Sequence, residues 1–146
     1  MTNIYDFIVI GAGISACTFA SLLNKRYPDL SILLVEHGRR IGGRATTRKS
    51  RKNKNLEYDH GLPSINFRER ISEDILELVS PLINSGKLLD ISKDILLINE
   101  FGILSNAFTN DIIYRSSPFM ANFCEEIINQ SNNPKKINFL FETLTK

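Results

Sequence analysis

The hydrophobic positions near the start of the chain form two short continuous runs, separated by a segment with helical spacing. The runs Tyr5–Ile10 and Ile32–Val35 each have the length and composition of a buried strand. Pro28 ends the segment between them. Its apolar residues recur at helical spacing: Ile14, Cys17, Leu22 and Leu23. The pattern therefore predicts a strand, a helix to about Tyr27, and a second strand.

The middle of the chain predicts shorter elements. Residues 56–59 alternate like a short strand. Ser72 is the predicted N-cap of a helix that Pro81 kinks or splits and that Gly86 ends. Two strands and a turn are predicted after this helix, at Leu88–Ile91, Ile95–Ile98 and Asn99–Gly102.

The last third predicts a strand, a helix and a final strand. Residues 112–114 form the first strand, and Ser117 caps the helix with Pro118 in its first position. The apolar face of this helix is predicted to be core packing rather than a cofactor-binding surface: Phe119, Met120, Phe123, Ile127 and Ile128. Residues 137–141 alternate as the final strand, whose edge needs a partner. We therefore expect a larger parent protein or a partner chain.

Composition excludes several classes of protein. The chain has 146 residues, 42% hydrophobic and 23% charged, which is ordinary for a globular protein. A net charge of +2 gives no global argument for nucleic-acid or membrane binding. No apolar run approaches the roughly 20 residues of a membrane span, and no secretory signal is recognisable. Cys17 and Cys124 are interpreted as reduced core residues of a cytoplasmic protein, and no metal site is predicted.

A glycine turn between the first strand and the first helix carries the clearest chemistry. Gly11 permits a tight turn, and Gly13 lets backbone approach a pyrophosphate. Ala16 is small enough for close packing of helix on strand. Free N–H groups at the helix start favour an anion. Glu36 ends the second strand, where its carboxylate can bind ribose hydroxyls and would repel a 2′-phosphate, which argues against NADP. This layout predicts binding of an adenine dinucleotide.

A strongly basic stretch follows Glu36 and contains a second glycine block. In Gly42–Gly43–Arg44 the glycines let backbone line a ligand, and the arginine can contact phosphate. A nucleic-acid or localisation patch is the alternative for residues 49–55, disfavoured because no aromatic residue is interleaved. Gly61 again indicates a close approach of backbone. His60 is interpreted as a surface residue rather than a catalytic base, and no catalytic residue is assigned.

These motifs resemble the N-terminal part of the renalase-like FAD-dependent amine oxidoreductases, within the glutathione-reductase-type FAD-binding superfamily. The matching stretches are Asp6–Ser15, Glu36–Arg48 and, more weakly, Tyr58–Gly61 and Ile113–Met120. The resemblance implies that FAD is the cofactor. The residues that it assigns to FAD binding are Gly11, Ala12, Gly13, Ile14, Ser15, Glu36, His37, Gly43, Arg44, Gly61 and Leu62.

The resemblance implies an α/β, Rossmann-like FAD-binding domain over residues 1–146, with a mostly parallel sheet and a small antiparallel excursion between Leu88 and Ile98. Residues 49–112 would be an incomplete substrate-side part, because relatives are more than twice as long and the C-terminal half is absent. Leu62 and Pro63 also stand where relatives carry alanine and glutamine.

Three functions remain open at this point. The first is the FAD-binding part of an oxidoreductase that takes a hydride from a nicotinamide or amine substrate. The second is a non-catalytic module that needs a partner chain over its last strand. The third is a plain NAD-binding domain. We expect neither nucleic acid nor membrane as a partner.

Overall fold

A computed structural model describes residues 4–67, 71–106 and 112–143. The helices are α1 (Ile14–Arg26), α2 (Glu73–Asn84) and α3 (Ala121–Asn129). The strands are, in chain order, β1 (Phe7–Ile10), β2 (Ile32–Val35), β3 (Thr47–Lys49), β4 (Glu57–Asp59), β5 (Ile65–Asn66), β6 (Leu88–Asp90), β7 (Leu96–Ile98), β8 (Leu104–Asn106), β9 (Ile113–Ser116) and β10 (Ile137–Leu140).

A parallel sheet in the order β1–β2–β10 positions the glycine turn. The register places Phe7, Ile32 and Ile137 in one row and Ile10, Val35 and Leu140 in another. The central strand β2 pairs with β1 on one side and with β10 on the other. The predicted α/β class with a parallel sheet is thereby confirmed, including the predicted first helix and both of its flanking strands.

The helices cover one face of this sheet. Ile32, Leu34 and Ile137 are buried in the same cluster as residues of all three helices. On the opposite face Ile8 and Ile10 keep 62% and 65% of their surface exposed. Parallel sheets normally have both faces covered, so this second face is an unusual feature, and it is called the open face below.

Helices α1 and α3 pack together through small and polar residues as well as apolar ones. Ser21 donates its buried hydroxyl hydrogen to the carbonyl oxygen of Ile127 at 2.8 Å. Cys17 and Cys124 are fully buried free thiols in contact with each other. The hydrogen bond with Cys124, followed by burial, raises the pKa of the Cys17 thiol far above its usual value. Cys17 is therefore a neutral core residue rather than a nucleophile.

The antiparallel part of the fold is broader than the predicted excursion between Leu88 and Ile98. Strand β9 lies between β5 and β6, and β7 pairs instead with β8 across the turn at Asn99–Gly102. The two predicted strands in this region thus have different partners. No local pattern predicts β3, β5 or β8, because each has only two or three residues and lacks a clear alternation.

The second helix follows the prediction except at its proline. Ser72 is the N-cap and accepts the backbone hydrogen bond of Ile75, and Gly86 ends the helix with φ of 71°. Of the two outcomes predicted at Pro81, a kink or a split, the split is wrong, because α2 continues to Asn84. Pro81 lies in the last turn, where the Ser85 backbone N–H and hydroxyl both bond to its carbonyl oxygen.

The predicted cap of the third helix is also wrong. Helix α3 begins at Ala121 rather than at Pro118, and Ser117 does not cap it. The first helical N–H groups bond instead to side chains of the β3–β4 hairpin. Asp59 accepts from the Met120 N–H at 3.0 Å, and the Thr47 hydroxyl accepts from the Ala121 N–H at 3.3 Å. Because these partners lie more than 60 residues away, local sequence could not indicate them.

We expect Asp59→Ala to destabilise the chain by about 1–2 kcal/mol, because it removes a helix cap and the acceptor for Thr47. Asp94→Ala is a matched control, since Asp94 is exposed and makes no side-chain hydrogen bond or ion pair within the described residues. Urea unfolding followed by circular dichroism measures both variants. Equal losses of unfolding free energy in the two variants would show that the Asp59 carboxylate does not stabilise α3.

Candidate functional site

The glycine turn joins the end of β1 to the start of α1. Gly11 has φ of 98°, in the left-handed region that favours glycine, and its N–H bonds to the Val35 carbonyl at 2.7 Å. Gly13 occupies the N-cap position of α1, and no side chain caps this helix end within the described residues. The first N–H groups of α1 therefore need another acceptor, which an anionic ligand can supply.

Glu36 ties the glycine turn to the loop after β2. One carboxylate oxygen accepts from the Ala12 N–H at 2.8 Å, and the other accepts from the Gly38 N–H at 2.6 Å. A carboxylate has about four acceptor positions, so two stay open for ribose hydroxyls. The backbone of Glu36 is itself fixed, because its N–H bonds to the Leu140 carbonyl in β10 at 2.8 Å.

The second glycine block packs directly on the first. Gly42 donates its N–H to the Ala12 carbonyl at 2.8 Å, and Gly13 and Gly42 form a parallel bridge. A Cβ on Gly43 would come within 3.1 Å of the Cα of Gly13. The tight contact between the two loops therefore favours glycine at position 43, and the φ of 125° favours glycine at position 42. Both reasons complement the predicted role of the pair in lining a ligand.

Gly61 is also explained by a backbone contact. Its φ is 122°, and a Cβ built on it would overlap the carbonyl oxygen of Arg44. The next residue, Leu62, donates its N–H to the same oxygen at 2.8 Å. The close approach predicted at Gly61 is thus an approach to the loop that carries Arg44.

Two neighbouring cavities share part of their lining at this arrangement of loops. One, of about 710 Å³, is lined by the glycine turn, the start of α1 and the Gly42–Ala45 and Gly61–Pro63 loops. The other, of about 1170 Å³, lies on the Glu36 side and extends along the β3–β4 hairpin. Gly43, Arg44 and Gly61 line both cavities. A ligand long enough to span them would pass directly over the second glycine block.

The structure brings nearly all the predicted cofactor-binding residues to these cavities. The smaller cavity is lined by Gly11, Gly13, Ile14, Ser15, Gly43, Arg44, Gly61 and Leu62, and the larger by Glu36, His37, Gly43, Arg44 and Gly61. Ala12 is the exception, since it is fully buried and lines neither cavity. The Ala12 N–H donates to the Glu36 carboxylate, so Ala12 supports the site without lining either cavity.

Sequence reasoning missed the contribution of the β3–β4 hairpin. Strand pairing places Tyr58 opposite Arg48, and both line the larger cavity together with His60. The basic stretch showed no interleaved aromatic residue, but the antiparallel partner strand supplies one. The alternation of residues 56–59 was the available signal. Pairing that predicted strand with residues 47–49 would have placed Tyr58 beside Arg48.

Comparison with known proteins gives one family and several partial structural matches. Residues 9–81 match the family of NAD(P)-binding Rossmann-like domains. Putrescine oxidase with bound putrescine is 24% identical, with a TM-score of 0.43 over 73% of this chain and 22% of that one. A protein assigned as a protoporphyrinogen oxidase from Exiguobacterium sp. 255-15 is 24% identical, with a TM-score of 0.43 over 62% of this chain and 19% of that one.

The chain spans about a fifth of the length of these solved structures. No curated protein matches the sequence significantly. Within the described residues, no helix is long and apolar enough to cross a membrane. The family match covers half of the chain and includes the glycine turn, Glu36 and the second glycine block. The chain belongs to the family of NAD(P)-binding Rossmann-like domains.

Proposed function

We propose that this chain is the FAD-binding part of a flavin-dependent oxidoreductase whose substrate is a nicotinamide or an amine. The observation that carries the proposal is the packing of the second glycine block on the first, with the Glu36 carboxylate bonded to the Ala12 N–H of the first turn. This arrangement leaves a glycine-rich groove beside a helix N-terminus, which suits a pyrophosphate.

The residues present fit a dinucleotide. The pyrophosphate would lie over Gly11–Ser15 with Arg44 beside it, and the ribose would bond to Glu36. Ala12, Ile14, His37, Gly43 and the Gly61–Leu62 turn complete the set of proposed binding residues. FAD is preferred to NAD because the Gly42–Gly43–Arg44 block resembles the renalase-like flavoproteins. When bound, FAD supplies the hydride acceptor, and the chain's own residues hold and orient it.

A titration with FAD tests this proposal. We expect saturable quenching of flavin fluorescence with a 1:1 end point and weaker binding of NADH. NADPH should bind least, because Glu36 would repel its 2′-phosphate. Tight NADH binding without FAD binding would replace the proposal with a plain NAD-binding domain. No binding of either dinucleotide by a folded chain would refute both assignments.

A second candidate is a non-catalytic module that completes its site only with a partner chain. The open face favours it, because Ile8, Ile10 and Leu140 keep 62%, 65% and 47% of their surface exposed on one side of the parallel sheet. Exposed apolar residues on a sheet face that is normally covered indicate an interaction site. Sedimentation distinguishes the two candidates: a monomer that binds FAD without a partner would exclude the second.

A further inference from the structure

The larger cavity carries more positive charge than a single dinucleotide requires. It is lined by seven basic side chains, Arg39, Arg40, Arg44, Arg48, Lys49, Arg51 and Lys52, and by one carboxylate, Glu36. Both oxygens of this carboxylate already accept backbone hydrogen bonds. The lining therefore keeps a large positive excess, and the cavity walls focus its field on the space between them.

Most of these charges are not neutralised by the protein. Arg39 pairs with Glu142 at 3.0 Å, and Lys49 pairs with Glu57 at 2.6 Å. The side chains of Arg48, Arg51 and Lys52 make no hydrogen bond or ion pair within residues 4–67, 71–106 and 112–143. Like charges grouped in one cavity repel one another, so a bound anion would stabilise them.

The hairpin that carries these charges is held in a defined shape. Ser50 receives the backbone N–H of Asn53 on its hydroxyl at 3.1 Å and donates its own N–H to the Leu56 carbonyl at 2.8 Å. The Asn53 side chain accepts the Asn55 N–H at 3.1 Å. The opposite end of the hairpin is fixed to α3 by Asp59. The basic side chains thus extend from an ordered support.

The size of the cavity leaves room beside a dinucleotide. Its volume of about 1170 Å³ exceeds the roughly 300–1,000 Å³ of a typical ligand site. Gly43, Arg44 and Gly61 also line the smaller cavity, whereas Arg48, Arg51 and Lys52 belong to the hairpin and line only the larger one. A dinucleotide held by the glycine turn and Glu36 would leave the hairpin end accessible.

We propose that the hairpin end of this cavity is a second anion site that binds a phosphorylated small molecule. Arg48, Arg51 and Lys52 provide the charge, and the guanidinium groups can form paired hydrogen bonds with phosphate oxygens. This site is separate from the proposed FAD site, because none of these three residues belongs to the set that would hold the dinucleotide. The inference therefore stands even without FAD binding.

Calorimetric titration of the full chain with inorganic pyrophosphate at low ionic strength tests the proposal. The titration is run with and without saturating FAD, because the glycine turn also suits a pyrophosphate and FAD would occupy it. We expect saturable binding that weakens as salt is added. The combined variant Arg48→Ala, Arg51→Ala, Lys52→Ala should lose at least about tenfold in affinity, because charge-assisted hydrogen bonds are removed. The matched control is Lys93→Ala, Lys135→Ala, Lys136→Ala, which removes the same charge from exposed positions outside the cavity and should change affinity less than about twofold.

FAD affinity of the same variants separates this site from the proposed function. Retained FAD binding with lost pyrophosphate binding is the expected result. If FAD affinity falls in parallel, the three cations belong to the dinucleotide site and the proposal is wrong. Absence of saturable pyrophosphate binding would also overturn it, as would an equal loss in the control variant. Much tighter binding of a single-stranded oligonucleotide, abolished by the same three substitutions, would assign the surface to a nucleic acid instead.

Discussion

Replacing Gly61 with alanine is expected to lower the free energy of unfolding by about 2–6 kcal/mol, the largest loss expected from a single added methyl group. Two costs combine at this position. The new Cβ would overlap the Arg44 carbonyl oxygen, an overpacking cost of about 1–3 kcal/mol. The backbone φ of 122° adds strain of about 1–3 kcal/mol for any residue with a Cβ. Thermal unfolding followed by circular dichroism should show a decrease in Tm of roughly 5–20 °C.

Gly102→Ala separates the steric cost from the backbone cost. Gly102 also has positive φ, 76°, but a Cβ there meets no other atom within 4 Å. We expect a loss of only about 1–2 kcal/mol from the left-handed conformation. If the two variants lose the same stability, the contact between Gly61 and the Arg44 loop does not contribute. A larger loss for Gly61→Ala would show that this contact helps to fix the position of Arg44.

The second large effect is expected at Glu36. Glu36→Ala leaves the N–H groups of Ala12 and Gly38 without their acceptor and removes the proposed ribose contact. Hydrogen bonds to a charged group contribute about 1.5–3 kcal/mol each. We therefore expect FAD affinity to fall by about 100-fold or more, measured by flavin fluorescence. Glu36→Gln should retain part of the affinity, because its amide oxygen can still accept one of the two bonds.

Glu142→Gln is the control for this experiment. Its carboxylate pairs with Arg39 near the same cavity, but both side chains are largely exposed, so the pair contributes little. FAD affinity should change by less than about twofold. An equal decrease for Glu142→Gln and Glu36→Ala would mean that net charge near the cavity, rather than the bonding of Glu36, governs binding.

Local sequence patterns predicted the elements whose signals are local. The glycine turn, the strands β1 and β2, the helix α1 between them and the Ser72 cap were all predicted, because hydrophobic period and capping chemistry act over a few residues. The start of α3 was predicted wrongly because its hydrogen-bond partners lie far away in sequence. Ser117 and Pro118 form a good local cap signal, but the N–H groups of Met120 and Ala121 bond to distant side chains.

The candidate site likewise has features that local sequence patterns predict and features that depend on long-range contacts. The spacing of Gly11, Gly13 and Glu36 predicted which residues gather at the cavities, because a strand–turn–helix unit fixes their geometry. The contacts that favour glycine at positions 43 and 61 could not be identified from sequence, since the partner in each case lies on a separate loop. The alignment of Tyr58 with Arg48 depends likewise on strand pairing that no local pattern specifies.

The bond from the Glu36 N–H to the Leu140 carbonyl has a consequence for biosynthesis. The loop that holds Glu36 is closed by two further bonds to the end of the chain, from Glu142 to Gly38 and from Thr143 to Glu36. More than 100 residues separate these partners, so the ribosome must have synthesised the chain through residue 143 before all three bonds can form. Contacts of such long sequence separation fold slowly. The glycine turn and α1 should therefore be present in nascent chains well before Glu36 is fixed, and dinucleotide binding should begin only after β10 has left the ribosome.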